Sequence, residues 1–412
     1  MLEKVNIITY GCQMNEAESN SIADFLKTHN YQITENIDDA DIIIINTCTV
    51  RQHAEDKAIS LIGTLKKWKT DRKKIFVTGC AAQRLGKGLK KRFPYIDEII
   101  GAKSYDKIYQ LFDKNKTKSN PDITNTFFEK KIFDYQIISK GCNLKCSYCI
   151  VPYVRGNEIN IPFNEIVKEI KEKAKNGVKE IMLLGQTVNS YRYLKLDFTD
   201  LLKEISQIDE IKIIRFMSPH PLFFTKKFFL EYGRNKKISR WLHIPLQSAS
   251  NKILKKMNRG YTIEKYMEII SELKAQDPST SITSDIIVGY NGETIKDFEL
   301  SLKAIEKIRF SNIYCFKYSP RFEAKDPLLI SCNELEKRHR ILLNEAKKIA
   351  KEVAMDKIGR IETVLLYNNK FGRTNTGYNC CIIDNDIYTE GSLLEVKIED
   401  VKTNTLYGRI YA

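Results

Sequence analysis

The most distinctive pattern in the chain is a run of three closely spaced cysteines, Cys142, Cys146 and Cys149, in the order C-x3-C-x2-C. Zinc sites usually have two separated pairs of cysteines, and no second pair follows this run. Three thiolates can instead hold a [4Fe–4S] cluster and leave one iron without a protein ligand. That iron could bind the amino and carboxylate groups of S-adenosylmethionine (SAM), which one electron from the cluster would then cleave. The difficult chemistry would belong to the cofactor, while the protein binds and orients it.

Three other cysteines each follow a short β-branched run, the pattern of a buried parallel strand. Residues 5–9 precede Cys12, residues 41–45 precede Cys48, and residues 74–78 precede Cys80. Helical patterns at residues 17–28 and 51–68 separate these runs, which predicts a parallel sheet with right-handed crossovers. The carboxyl ends of parallel strands share one edge, so the three thiols should converge there. We interpret them as ligands of a second iron–sulfur cluster; a three-cysteine zinc site and simple burial are the alternatives.

The three-cysteine run opens a longer series of alternating strands and helices. Strand patterns lie at residues 135–139, 180–184, 212–217, 241–246, 282–288 and 312–318, with helical patterns such as 164–175 and 263–275 between them. Six such units predict an open (β/α)6 partial barrel with its site at the carboxyl ends of the strands. After a charged helical segment at 334–353, strand patterns at 361–367, 379–383 and 393–401 predict a small β-barrel.

A chain of 412 residues is too long for one ordinary core, so several domains are expected. The fold class is therefore predicted to be α/β with three domains. They are an N-terminal parallel-sheet α/β domain at 1–115, a partial-barrel core at 128–350 and a small β domain at 355–412.

Composition narrows the class of protein. The chain has ten cysteines and a formal net charge of +15. Its first residues lack the basic start and apolar core of a signal peptide, and no apolar run is long enough to span a membrane, which favours a cytoplasmic location. Disulfides do not persist there, so metal or redox roles are expected for several cysteines. The positive charge fits a polyanionic partner, although a general richness in Lys, Ile and Asn explains it equally well.

The chain resembles the radical-SAM methylthiotransferases over nearly its whole length. The resemblance rests on residues 10–15 (YGCQMN), 46–51 (NTCTVR), 141–149 (GCNLKCSYC), 151–156 (VPYVRG), 184–189 (LGQTVN) and 284–289 (SDIIVG). The residues after Cys12, together with 218–221 (SPHP), are most similar to the branch that acts on N6-isopentenyladenosine at position 37 of tRNA. Residues 371–375 (FGRTN) resemble the TRAM domain, an RNA-binding module of these enzymes.

The resemblance implies a transferase that adds a methylthio group to C2 of the adenosine. It implies two SAM molecules and two [4Fe–4S] clusters: one SAM methylates sulfur held at the cluster of Cys12, Cys48 and Cys80, and the other yields the radical that abstracts hydrogen from C2. It also implies a tRNA substrate, an electron donor such as a flavodoxin or a ferredoxin, and a monomer that does not bind membranes.

The resemblance assigns further roles to single residues. Cys142, Cys146 and Cys149 would be catalytic as holders of the SAM-cleaving cluster. Candidates for binding SAM are Gln186, Gln247, Ser284, Asp285 and Arg155, and candidates for binding RNA are Arg259, Arg360 and Arg373; Arg155 and Arg259 could each meet the methionine carboxylate or a substrate phosphate. For every polar residue the alternative is an ordinary hydrogen-bonded side chain of the barrel, and the same holds for His220 and His243 as metal ligands.

One departure from the family pattern lies beside the three-cysteine run. Lys140 stands where an acidic residue is usual, and its charge could alter the potential of a nearby cluster. Three other functions stay open. They are the same chemistry on threonylcarbamoyladenosine-37 of tRNA, a non-catalytic iron–sulfur electron carrier or RNA-binding sensor, and a zinc-stabilised RNA-binding protein.

Overall fold

A computed structural model describes residues 2–113, 131–320 and 329–411 of the chain. Within these ranges, no helix is both long enough and apolar enough to cross a bilayer. The chain divides into two compact units. The ranges below are described structurally only where they overlap the residues just given. Unit 1 comprises Met1–Glu129, Lys140–Leu144 and Cys149–Ile159, and unit 2 comprises Lys130–Ser139, Lys145–Tyr148 and Asn160–Ala412. The predicted boundaries at 115 and 128 fall outside the described residues, and the three-domain division remains a prediction.

The strands and helices are numbered in chain order. The strands are β1 (Lys4–Thr9), β2 (Gln32–Ile33), β3 (Ile42–Thr47), β4 (Lys74–Gly79), β5 (Glu98–Gly101), β6 (Phe133–Ile137), β7 (Ser139–Lys140), β8 (Ile159–Asn160), β9 (Glu180–Leu184), β10 (Arg192–Tyr193), β11 (Leu196–Asp197), β12 (Ile213–Phe216), β13 (Trp241–His243), β14 (Ser281–Val288), β15 (Asn312–Lys317), β16 (Ile361–Leu366), β17 (Phe371–Thr374), β18 (Asn379–Ile382), β19 (Leu393–Lys402) and β20 (Thr405–Ile410). The helices are α1 (Gln13–Thr28), α2 (Gln52–Thr64), α3 (Cys80–Arg92), α4 (Lys107–Phe112), α5 (Val151–Arg155), α6 (Phe163–Lys175), α7 (Phe198–Ser206), α8 (Lys226–Arg234), α9 (Asn251–Lys256), α10 (Ile263–Gln276), α11 (Ile295–Ile308) and α12 (Cys332–Met355).

Unit 1 contains a five-stranded parallel sheet in the order β2-β1-β3-β4-β5. Its central strand β3 is buried along its whole length, because helices cover both faces of such a sheet and favour a continuous aliphatic run. The predicted parallel sheet is confirmed. Strand β5 was not predicted, since it is short and begins with a charged residue. Helix α1 begins at Gln13 instead of residue 17, because Cys12 is extended and ends the preceding loop.

Unit 2 contains two three-stranded parallel sheets, β6-β9-β12 and β13-β14-β15, whose strands follow one another in chain order. A single parallel bridge joins Ile214 of β12 to Ile238, just before β13. Helix α6 buries Phe163, Ile166 and Ile170 on one face, at the spacing of an amphipathic helix. The arrangement confirms the predicted six-stranded partial barrel. Strand β13 ends at His243, three residues before the predicted end.

The last part of unit 2 is a closed barrel of five strands, in the order β16-β17-β18-β20-β19. Its core includes Val364, Cys380, Ile398 and Leu406, all almost fully buried. The predicted small β-barrel is therefore confirmed. Two of its strands, β17 and β20, were not predicted, because a glycine interrupts the apolar pattern of each. The long helix α12 precedes the barrel.

Candidate functional site

Three cysteines of unit 1, called the first set, lie at the carboxyl edge of its sheet. Cys12 follows β1 and precedes α1, Cys48 follows β3, and Cys80 is the first residue of α3 directly after β4. The three strands are neighbours in the sheet. Cys48 and Cys80 are almost fully buried, whereas Cys12 is half-buried. The parallel topology therefore brings the first set together, as the sequence predicted.

A buried network of two asparagines joins the segments that carry Cys12 and Cys48. The Nδ2 atom of Asn15 donates to Oδ1 of Asn46 at 2.8 Å and to the carbonyl of Thr47 at 3.1 Å. In return, Nδ2 of Asn46 donates to the carbonyl of Asn15 at 2.9 Å. The Cys12 thiol donates to Oδ1 of Asn15 at 3.3 Å. The two cysteine-bearing segments are thus held together by side chains, as well as by the strands.

Close packing at Gly11 also keeps the segments of Cys12 and Cys48 together. A Cβ atom added to Gly11 would lie 3.0 Å from the Cβ of Cys48 and 2.9 Å from Cγ of Asn15. Any larger residue would push the loop of Cys12 away from the loop of Cys48. The glycine therefore allows the two thiols to approach each other.

The thiols of the first set influence one another. The pKa of Cys12 is lowered to about 6, chiefly because its sulfur is hydrogen-bonded to the Cys48 thiol, with a smaller contribution from the charge of Arg155. The same hydrogen bond, and then burial, raise the pKa of Cys48. Burial also raises the pKa of Cys80. Cys12 is therefore the most acidic thiol of the first set.

Arg155 is buried within unit 1 beside the first set. Its Nε atom donates to Sγ of Cys80 at 3.2 Å, and its Nη1 and Nη2 atoms donate to the two carboxylate oxygens of Glu18 at 2.6 and 3.0 Å. Burial opposes its charge, but the carboxylate of Glu18 and the Cys80 thiol hold the pKa of Arg155 well above its ordinary value. The residue predicted to bind SAM is thus engaged by Glu18 and the first set.

The second set, Cys142, Cys146 and Cys149, lies in the irregular segment between β7 and α5. Gly141, directly before Cys142, has a φ of +81°, and a Cβ there would lie 2.1 Å from the carbonyl oxygen of Asn157. The backbone N–H of Cys142 donates to the carbonyl of Gly156 at 3.1 Å. A glycine is therefore required where the loop begins.

Cys146 lies in unit 2, where a second buried arginine contacts it. The Nη1 atom of Arg259 donates to Sγ of Cys146 at 3.4 Å and to the Tyr148 hydroxyl at 3.2 Å. Its Nη2 atom donates to the carbonyl of Pro245 and its Nε atom to the Tyr261 hydroxyl, both at 3.1 Å. Burial opposes its charge, but Tyr148 and the other neighbours raise the pKa of Arg259.

The donor sets can be compared with what an iron–sulfur cluster needs. Among the described residues, no three His, Cys, Asp or Glu side chains are grouped closely enough to hold a single metal ion. A [4Fe–4S] cluster needs thiolates spread around a larger body, with backbone that can approach it closely. Sets that consist only of cysteines, with Gly11 or Gly141 directly beside them, fit that group. The ligand roles of the six cysteines remain a prediction.

The residues predicted to bind SAM differ in whether their polar side-chain atoms are already hydrogen-bonded within the protein. Gln186 follows β9, and its Oε1 atom is buried without a hydrogen-bond partner among the described residues. Ser284 is fully buried and uses its hydroxyl locally, donating to the carbonyl of Ile244 at 2.8 Å and accepting from the N–H of Leu246 at 2.9 Å. Gln186 is therefore the stronger candidate for a ligand contact, and Ser284 shapes the segment before Gln247.

Gln247 and Asp285 are joined through the backbone. The N–H of Gln247 donates to the carbonyl of Asp285 at 2.8 Å, and Gln247 adopts a φ of +72°, which is rare for a residue with a side chain. The Oδ2 atom of Asp285 lies 3.4 Å from Nε2 of His243. The structure thus brings these two predicted residues together at the carboxyl half of β14.

His220 follows β12 and is almost fully buried. Its Nδ1 atom accepts from the N–H of Leu222 at 3.3 Å, so in the neutral ring Nε2 carries the proton. That Nε2 has no hydrogen-bond partner among the described residues. Burial, and then the charge of Arg259, lower the pKa of His220 to about 2, so the ring is neutral at physiological pH. His220 is therefore placed as a hydrogen-bond donor.

The three arginines predicted to bind RNA occupy different surroundings. Arg259 is buried beside Cys146. Arg373 lies half-buried over the ring of Trp241, 4.8 Å from its centroid, and donates to the carbonyl of Gly377 at 3.3 Å. Arg360 is exposed. Of the three, Arg360 has the exposure that a phosphate contact needs.

Sequence reasoning missed Asn15, Glu18 and Asn46, which organise the first set. A sequence signal was present for one of them: Asn46 directly follows a buried aliphatic run, and a buried polar side chain there must have a partner. Asn15 and Glu18 lie three residues apart on α1, and both are buried on one face of that helix.

The chain matches two known families in different parts. Residues 4–101 match the uncharacterized protein family UPF0004, and residues 137–305 match the radical SAM superfamily. The chain is 40% identical over 417 residues to the tRNA-2-methylthio-N(6)-dimethylallyladenosine synthase of Endomicrobium trichonymphae, covering 98% of this chain and 99% of the relative. The enzyme of the same name from Campylobacter jejuni is 39% identical, and the match covers 99% of each chain.

Solved structures give the fold independently. The radical S-adenosylmethionine methyltransferase TsrM from Kitasatospora setae, solved with cobalamin and a [4Fe–4S] cluster, aligns with a TM-score of 0.56 at 11% identity, covering 88% of this chain and 81% of that one. The cobalamin-dependent S-adenosylmethionine radical enzyme OxsB aligns with a TM-score of 0.52 at 12% identity, covering 85% of this chain and 56% of that one. At this identity the likeness concerns the fold.

Proposed function

The chain belongs to the tRNA-2-methylthio-N(6)-dimethylallyladenosine synthase family, and on that premise we propose that it adds a methylthio group to C2 of N6-isopentenyladenosine at position 37 of tRNA. Two SAM molecules and two [4Fe–4S] clusters would serve the reaction. The observation that supports it best is the pair of three-cysteine sets, the first at the carboxyl edge of a parallel sheet and the second in the loop after β7.

Each set has a distinct role in the proposal. Cys12, Cys48 and Cys80 hold the cluster that carries the sulfur to be transferred, and Cys142, Cys146 and Cys149 hold the cluster that binds SAM. When bound, these groups supply one-electron cleavage of SAM and a methylated sulfur for transfer. Three protein ligands leave one iron of each cluster open, which suits one to SAM and the other to a sulfur atom.

The chain's own residues bind and orient the cofactor and the base. The buried Oε1 atom of Gln186 is an acceptor available to the SAM amino group, and Nε2–H of the neutral His220 is a donor available to a carboxylate, a hydroxyl or an adenine nitrogen. An unpaired buried polar atom costs stability unless a ligand pairs with it. Both atoms lie after carboxyl ends of barrel strands, where the site of such a barrel is expected.

The partners and location follow from the same reaction. tRNA is the substrate, and the exposed Arg360 on the closed barrel would contact its phosphates. A flavodoxin or a ferredoxin would supply the electron. We place the enzyme in the cytoplasm, where it would act as a monomer that does not bind membranes.

The proposal is tested anaerobically with reconstituted enzyme, SAM, dithionite and tRNA that carries isopentenyladenosine. Mass spectrometry of the nucleosides should detect the 2-methylthio derivative. The variant C12A should lose this product but still form 5′-deoxyadenosine, whereas C146A should lose both. The variant C332A, at an exposed cysteine, is the matched control and should behave like the wild type.

Other outcomes would redirect or reject the proposal. If only tRNA that carries threonylcarbamoyladenosine is modified, the substrate is that nucleoside and the proposed methylthiolation chemistry stands. Cleavage of SAM with neither tRNA modified would reject the substrate class. A colourless protein without iron and without SAM cleavage would reject the enzyme class altogether.

A further inference from the structure

Each cysteine set has one thiol that accepts a hydrogen bond from a buried arginine. In the first set, Arg155 donates to Cys80 at 3.2 Å, and in the second set Arg259 donates to Cys146 at 3.4 Å. Both arginines are more than nine-tenths buried as residues, at 9% and 5% exposure. A charged side chain is costly to bury, so each must be compensated by its surroundings.

The two arginines are compensated in different ways. Arg155 forms a two-point ion pair with Glu18, whose side chain is only 2% exposed, and Nη2 also lies 3.4 Å from Oδ1 of Asn15. The pair as a whole is neutral. Its geometry leaves Nε directed at the Cys80 sulfur, because the carboxylate occupies the other side of the guanidinium.

Arg259 has no acidic partner among the described residues of the chain. Its contacts there are the Cys146 sulfur, the hydroxyls of Tyr148 and Tyr261, and the carbonyl of Pro245. None of these partners is a carboxylate. Within unit 2 no carboxylate of the described residues offsets the charge of Arg259, which lies against the Cys146 sulfur.

We propose that Arg155 with Glu18, and Arg259 alone, are positioning residues that separately set the reduction potentials of the two clusters. Hydrogen bonds and positive charge near cluster sulfurs stabilise the reduced, more negative state and raise the potential. Glu18 offsets the charge of Arg155, so the first cluster has the hydrogen bond with little net charge beside it. The second cluster has both. This inference rests on the proposed function, since it requires both sets to hold clusters.

The experiment isolates each cluster by removing the other set. The triple variant C142A/C146A/C149A retains the first cluster, and C12A/C48A/C80A retains the second. Each is reconstituted as the full chain and titrated anaerobically with dithionite, without SAM or tRNA. Each cluster takes one electron from dithionite, and electron paramagnetic resonance follows the reduced state. Iron and sulfide content are measured on every sample.

Glu18→Gln is the decisive substitution for the first cluster, because glutamine keeps the shape and an acceptor for Arg155 but removes the negative charge. We expect the midpoint potential of the first cluster to rise. Glu16→Gln removes the same charge from an exposed position on the same helix and should shift the potential much less, because water and salt screen it. Arg155→Met should shift the potential downward, toward more negative values.

Arg259→Lys and Arg259→Gln test the second cluster. Glutamine removes the charge and should lower the midpoint potential of the second cluster, while lysine, which keeps the charge, should lower it less. In the first-cluster background, Glu18→Gln should shift the potential more than Arg259→Gln does, and in the second-cluster background the order should be reversed. This crossed pattern distinguishes local electrostatics from a general loss of structure.

The outcomes separate this inference from the function beneath it. Loaded clusters whose potentials do not move in Glu18→Gln and Arg259→Gln would overturn the inference and leave the proposed function standing. Failure of either cysteine set to bind iron in the otherwise unchanged chain would overturn both. If Arg155→Met alone loses its iron, Glu18→Gln still tests the inference, because it keeps Arg155 and one of the two acceptor oxygens.

Discussion

The side-chain amides of Asn15 and Asn46 bond to each other within the core of unit 1, with 2.8 Å between Nδ2 of Asn15 and Oδ1 of Asn46. Both residues are fully buried, at 0% exposure. Asn15 lies in the first turn of α1, which follows Cys12, and Asn46 lies next to the last residue of β3, which precedes Cys48. The relative position of two predicted cluster ligands therefore depends on polar contacts that no apolar side chain can replace.

Asn15→Leu should destabilise unit 1 and reduce its capacity for iron. The substitution leaves the Asn46 amide with a lost partner, which costs ~1–3 kcal/mol. Urea unfolding in a Trp241→Phe background, where Trp68 is the remaining tryptophan and reports on unit 1, should give this loss. The exposed change Asn36→Leu is the control. Equal stability of the two variants would contradict the role of the network.

Gly141→Ala should prevent the loop of the second set from forming. The new Cβ would lie 2.1 Å from the carbonyl of Asn157, at a φ of +81° that residues with side chains avoid. The backbone strain is on the order of 1–3 kcal/mol. Iron per chain should fall to about half, since one of two clusters is lost. Gly88→Ala, with open space around its Cβ, should retain full iron content.

Arg215 and Glu180 form an ion pair that is fully buried in unit 2, with Nε 2.6 Å from Oε1. Glu180→Gln should cost ~3–5 kcal/mol, because it leaves the guanidinium charge buried without its counter-ion. Unfolding followed by Trp241 fluorescence in a Trp68→Phe background measures the loss in unit 2. The exposed pair of Arg409 and Glu399 supplies the control Glu399→Gln, which should cost less than ~1 kcal/mol.

His220 should make unit 2 less stable as the pH falls. The pKa of the ring is about 2 in the folded chain and 6.5 ordinarily, so the unfolded chain binds the proton more readily between these values. The stabilisation is complete above pH 6.5 and declines below it. Between pH 7.5 and 5.5 the wild type should lose about 1.4 kcal/mol more than His220→Gln does. Parallel losses in both proteins would contradict the assignment of a neutral buried ring.

Arg360 and Arg373 should differ in how their removal affects tRNA binding. Arg360 is exposed on the closed barrel, so Arg360→Ala should reduce the slope of log affinity against log salt concentration by about 1. Arg373 is engaged with Trp241 and Gly377, so Arg373→Ala should lower stability and leave the slope unchanged. Filter binding at several salt concentrations measures both. A change of slope in Arg373→Ala but not in Arg360→Ala would contradict this assignment and give the phosphate contact to Arg373.

Local sequence was sufficient to predict most of the fold. Strand β9 has the predicted bounds, and the bounds of β3, β14 and β15 differ from the predicted ones by at most two residues. A short aliphatic run is typical of a buried strand, so the sequence pattern predicts these strands well. The strands that were not predicted include β5, β17 and β20, which are short or contain a glycine, and two-residue strands such as β2 and β10; they are recognised only through the neighbours that pair with them.

The positions of the six cysteines were determined by the sequence itself, because each follows a strand or lies within one short loop, and spacing along the chain decides both. The partners of the arginines were decided only by the tertiary structure. Arg155 meets Glu18 across 137 residues of chain, and Arg259 meets Cys146 across 113. An arginine has the same local sequence signature whether it is solvated or buried. Whether its charge contacts water, a carboxylate or a cysteine sulfur depends on which residues, distant in sequence, the fold brings next to it.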